Sequence, residues 1–129
     1  MIIIDTSVWI DYFRGRNGRL IAHLQELLDN DLIVLAAPVK IEILSGSSTR
    51  DRFLLQRVLQ ALPLLMPTQA TWERMETWTE KAAAKGERFG VTDLLIAGLA
   101  ADHNFPLWSL DEDFARMRKL GFIQLFAPR

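Results

Sequence analysis

Cysteine is absent from this chain of 129 residues. That excludes disulfides, thiolate metal sites and a cysteine nucleophile, and leaves hard cations with oxygen ligands open. No sign of charge dominates: 15 Lys and Arg stand against 16 Asp and Glu, a formal net charge of -1. A global pull toward nucleic acid or anionic lipid is therefore missing, and any polyanion must be met locally. Long apolar runs are missing too. A membrane span needs about 18 uninterrupted apolar residues, and the run from Leu32 to Val39 stops at eight. Met1-Ile2-Ile3-Ile4-Asp5 has no basic region ahead of its short apolar stretch, so it makes a poor signal peptide. A soluble, cytoplasmic protein with no membrane partner is expected.

Half of the chain is hydrophobic, enough for one core and too little length for two. One compact domain over residues 1–129 is expected. Ile2 to Ile4 is a β-branched run of the kind buried on both faces of a parallel sheet. Asp5 ends it, and Thr6 or Ser7 can cap a helix to about Arg14. A second helix is expected from about Arg19 to Leu28, and a second buried strand over Leu32 to Leu35. Ala36-Ala37-Pro38 opens a helix that contains Glu42 and ends at Gly46. Ser48 then caps another that ends near Pro63, and Leu64 to Met66 forms a brief strand. The long helix from Thr68 to about Lys85 should bury Trp72, Met75, Thr79 and Ala82. Thr92 starts a helix apolar almost all round, and strands are expected at Leu107 to Leu110 and Phe122 to Phe126. Alternating strands and helices predict an α/β protein, three layers α/β/α around a mainly parallel sheet of four to five strands.

In such sheets ligands bind beyond the carboxyl ends of the strands, and acids stand there. Asp5 follows the first strand, Asp111 follows Leu110, and Asp93 opens the buried helix. Glu42 lies one turn into its helix among apolar neighbours, so burial is expected. Clustered carboxylates raise one another's pKa unless a cation lies between them. No lysine or arginine is spaced to pair with all four acids, whereas a divalent ion, magnesium or manganese, suits them. Such a site points to phosphodiester hydrolysis. Each acid also has an ordinary explanation. Asp5 and Asp93 suit helix caps, Glu42 a partly exposed helix position, and Asp111 a cap with Asp113 solvated beside it.

The positions resemble, as motifs, the PIN-domain family, and in particular VapC-type toxins of toxin–antitoxin pairs. Ile3-Ile4-Asp5-Thr6-Ser7-Val8-Trp9-Ile10 is similar to the first motif, and Pro38-Val39-Lys40-Ile41-Glu42-Ile43-Leu44-Ser45-Gly46 to the second. Gly90-Val91-Thr92-Asp93-Leu94-Leu95-Ile96-Ala97 resembles the third, and Leu107-Trp108-Ser109-Leu110-Asp111-Glu112-Asp113-Phe114 the fourth. The resemblance implies an acidic, metal-binding core of Asp5, Glu42 and Asp93, with Asp111, or else Asp113, as the fourth acid. It implies that Thr6 and Thr92 orient neighbouring carboxylates and that Ser109 stands where the family often has threonine. It further implies a magnesium-dependent endoribonuclease, an RNA substrate, a homodimer and inhibition by a cognate VapB-like antitoxin.

Other features carry less. His23 and His103 lie outside the motifs and suit structural positions. Trp72, Met75 and Trp78 suit packing, and Arg14, Arg16, Arg19 and Lys40 are candidate phosphate contacts against a solvated-surface alternative. Two other classes compete with the nuclease. A single-magnesium phosphoacceptor protein needs an acceptor aspartate after the second strand, where Ala36-Ala37-Pro38 stands instead. A non-catalytic interaction domain would not need all four acids intact.

Overall fold

The computed structural model describes residues 1–128. In chain order the elements are β1 (Ile2–Ile4), α1 (Thr6–Arg14), α2 (Gly18–Asp29), β2 (Ile33–Ala36), α3 (Ala37–Gly46) and α4 (Thr49–Gln60). There follow β3 (Leu64–Leu65), α5 (Gln69–Ala84), α6 (Val91–His103), β4 (Leu107–Trp108) and α7 (Glu112–Lys119). The sheet runs β3-β2-β1-β4, and every pairing is parallel. Every residue of β1 and β2 is buried, because helices cover both faces of the sheet in an α/β/α sandwich. With all strands parallel, their carboxyl ends share one edge. Asp5 and Ser109 follow immediately at the ends of the paired strands β1 and β4.

Several expected boundaries move, each for a local reason. Asp5 itself caps α1, its carboxylate accepting from Ser7 N, so the cap is neither Thr6 nor Ser7. Strand β2 starts at Ile33 rather than Leu32, after a turn that puts Asp31 at φ 54. Helix α6 begins at Val91 behind Gly90, one residue before Thr92. Strand β4 ends at Trp108, short of Leu110, because the Ser7 hydroxyl accepts the Leu110 N–H at 3.0 Å and turns the backbone away. Phe122 to Phe126 forms no strand but a single parallel bridge, Leu125 to Leu107, with Phe126 N donating to Leu107 O at 2.8 Å.

Helix α5 buries Thr71, Met75, Trp78 and Ala82, while Trp72 and Thr79 face outward, a correction of the expected face. Trp78 stacks on Phe122 with ring centres 4.5 Å apart. Helices α5 and α6 meet closely: a Cβ at Gly98 would stand 3.1 Å from Thr71 Cγ2. Thr71 is held there by donating to Asp102 Oδ2 at 2.5 Å, and Asp102 also pairs with Arg74. No helix among the described residues is long and apolar enough to cross a membrane.

Candidate functional site

Asp5 is buried to 4% exposure, so its charge needs partners near at hand. Two serines from opposite ends of the chain supply them. Ser7 Oγ donates to Asp5 Oδ2 at 2.7 Å and Ser109 Oγ donates to the same oxygen at 2.8 Å. Each serine oxygen then accepts a backbone N–H of the loop after β4, Leu110 N at Ser7 and Asp111 N at Ser109, both at 3.0 Å. Asp5 Oδ1 accepts no hydrogen bond among the described residues. The only fully enclosed side-chain polar atom without a partner there is Trp9 Nε1, so Asp5 Oδ1 keeps contact with solvent. One oxygen of Asp5 is anchored and the other is open.

Asp93, in the first turn of α6, meets two acids at the start of α7. One carboxylate oxygen from each of Asp93, Asp111 and Asp113 lies within 4.8 Å of the others. Two oxygens on opposite sides of a magnesium ion with bonds of about 2.1 Å are about 4.2 Å apart. The three acids thus stand near the spacing at which one ion binds them all. Asp111 is also the N-cap of α7, but that role takes only Oδ1, which accepts Asp113 N at 2.9 Å. The cap explanation and the ligand explanation are therefore compatible at Asp111, as at Asp5.

The electrostatics of Asp93 follow from its burial beside other acids. Burial pushes the Asp93 carboxyl up to about 7, helped by its hydrogen bond with Asp113 and by the charges of Asp111, Asp113 and Asp5. Asp113 is held below the ordinary range, chiefly by its hydrogen bond from Arg116. A divalent ion would favour the ionised form of Asp93, and an all-carboxylate donor set suits a hard ion.

Glu42 is placed differently from the expectation. It is exposed, not buried, because its apolar sequence neighbours point elsewhere around α3, and Ile41 is itself exposed. Its tie to the site is indirect: Thr6 Oγ1 donates to Glu42 Oε1 at 2.7 Å. Thr6 thus orients Glu42 rather than Asp5. Thr92 is exposed and makes no hydrogen bond to a site carboxylate among the described residues. Ser7, a hydroxyl residue of the first motif, is the one that supports Asp5. Arg116 was not anticipated, although its helical i,i+3 spacing from Asp113 signals the pair.

Beside Glu42 a groove of about 570 Å³ runs between α1, α3 and α4, lined by Ile10, Phe13, Arg14, Leu54 and Val58 among others. Of the other expected features, Trp78 is core, Trp72 is exposed, and His103 stacks on Phe105.

The family model of the PIN domain matches residues 2–120. The chain belongs to the PIN-domain family. This PIN domain is 32% identical to ribonuclease VapC11 of Mycobacterium tuberculosis, over 96% of each chain. It is 27% identical to ribonuclease VapC5 of the same organism, over 95% of this chain and 92% of the relative. Its fold is similar to that of a chain in the DNA-bound VapBC structure from Salmonella typhimurium, with TM-score 0.80 at 15% identity over 97% of this chain and 96% of the other. VapBC-1 of nontypeable Haemophilus influenzae superposes with TM-score 0.77 at 21% identity, covering 98% and 97%.

Proposed function

We propose that this PIN domain is a metal-dependent endoribonuclease and the toxin of a type II toxin–antitoxin pair. The observation that carries the reading is the cluster of Asp93, Asp111 and Asp113 with oxygens within 4.8 Å of one another. It stands in a chain similar along nearly its whole length to curated ribonucleases. Asp5, Glu42, Asp93 and Asp111 are assigned as the acids of the site, with Asp113 beside them and magnesium or manganese as the ion. When bound, such an ion supplies charge neutralisation at a phosphodiester and activates water for in-line attack.

The protein's own part is placement. Ser7 and Ser109 fix one oxygen of Asp5 and leave the other free for the ion. Asp111 keeps its second oxygen free of the helix cap. Glu42, held by Thr6, joins the set from α3. Arg14 lines the groove next to Glu42 and is exposed, a suitable contact for an RNA phosphate in a chain of net charge -1. The same groove offers apolar residues, Leu54 at 63% exposure among them, to a VapB-like antitoxin. The reading includes a homodimer and action in the cytoplasm.

The test is cleavage of a broad panel of cellular RNAs by the purified, antitoxin-free protein with magnesium or manganese. Cleavage is expected, abolished by a chelator and by Asp5→Asn, and strongly reduced by Glu42→Gln with the melting temperature unchanged. Intact RNA in the presence of folded wild-type protein and either metal would refute the nuclease reading.

A further inference from the structure

The Arg116 guanidinium touches three groups from two segments of the chain. It donates to Asp113 Oδ1 at 2.5 Å, donates through its other terminal nitrogen to Glu87 Oε2, and lies 4.8 Å from the Phe89 ring centre. Asp113 belongs to α7, whereas Glu87 and Phe89 belong to the short segment joining α5 to α6. That segment is fixed at its start, where Glu87 N donates to Ala82 O at 2.8 Å, and it ends at Gly90, the N-cap of α6. Asp93 follows in the first turn.

We propose that Arg116 is a positioning residue of the acidic site, a strut that ties the start of α7 to the approach to α6 and so sets the separation of Asp113 and Asp93. The inference rests on the metal-site reading above. A guanidinium suits the task because its planar fork engages two carboxylates in fixed directions while its face packs on an aromatic ring. An ammonium can hold one partner firmly but cannot reproduce the fork. Phe89 and Glu87 occupy the face and one end of the fork, so the Asp113 carboxylate is reached from a fixed direction rather than by a mobile side chain.

A rival account makes Arg116 a mere counter-charge that stands in for the ion. The two accounts differ in sign. Loss of a strut loosens the acids and weakens metal binding, while loss of a counter-charge removes repulsion and tightens it.

Calorimetric titration of the full chain with manganese decides between them. Wild type should bind. Arg116→Met should weaken binding about tenfold or more, the range found when groups orienting metal ligands are removed. Arg116→Lys should recover part of the loss. Glu87→Gln, away from the acids, should weaken binding less and add nothing in the Arg116→Met background. It also guards against misfolding of the arginine variant. Manganese binding by Arg116→Met as tight as wild type, or tighter, overturns the strut. Failure of folded wild type to bind manganese overturns the metal-site reading itself, and the strut with it.

Discussion

Ser109 donates its hydroxyl proton to Asp5 Oδ2 at 2.8 Å across 104 positions of sequence. The contact joins the carboxyl ends of β1 and β4, the one pair of strands whose following residues are an acid and a hydroxyl. A hydrogen bond to a charged acceptor is worth about 1.5–3 kcal/mol, more than a neutral pair. Ser109→Ala should therefore destabilise the protein by about 1.5–3 kcal/mol in urea unfolding and reduce RNA cleavage. Ser109→Thr keeps the hydroxyl and should restore most of both. An alanine variant as stable as wild type would mean that Ser7 alone suffices to hold Asp5.

Asp93 gives the metal-free protein a stability that depends on pH. Its carboxyl is raised from 3.8 to about 7 on folding. Between those values the folded chain binds more protons than the unfolded one, so stability falls as pH rises through that window and levels off above it. Asp113 is lowered, so its contribution is lost only below the ordinary carboxylate range, outside the window. Thermal melts from about pH 4 to pH 8 in chelator should show the fall. Asp93→Asn should flatten it. Saturating manganese should reverse it, because only the ionised carboxylate is a ligand.

Gly98 is a packing position. Alanine there would gain up to about 1 kcal/mol of helix propensity, but its Cβ would meet Thr71 Cγ2 at 3.1 Å. Thr71 cannot turn aside, since its hydroxyl donates to Asp102 and accepts Thr68 N at 3.0 Å. Gly98→Ala should cost about 1–3 kcal/mol. Combining it with Thr71→Ser, which deletes the offending methyl and keeps the hydroxyl, should cancel most of that cost. Strict additivity of the two changes in denaturant unfolding would sink this account.

Much of the fold was legible because its signals are local. The isoleucines of β1 and the apolar α6 admit little besides burial in a parallel sandwich, and Asp5 and Asp93 follow from where those elements begin and end. Misreadings arose where a distant partner decides. The run Leu107 to Leu110 looks like a strand until Ser7, from the other end of the chain, captures Leu110 N. Phe122 to Phe126 has strand-like composition but gains only one bridge. Glu42 misled because adjacency in sequence is not adjacency on a helix: neighbours at i±1 point about 100° away. Arg116 is hard to read from the sequence because no single cation matches four acids, whereas in space it joins Asp113 to Glu87, 29 positions away.

The union of β1 with β4 also has a consequence for the growing polypeptide. Asp5 is made well before its Ser109 partner, 104 positions later, and before the Asp111 and Asp113 that gather with Asp93. A ribosome that has not yet released the stretch after Leu107 holds a chain with a sheet lacking one edge and with no assembled acid cluster. Such a nascent chain carries Asp5 and Asp93 without the residues that surround them in the folded protein. The acid cluster can gather only after the chain has emerged through α7.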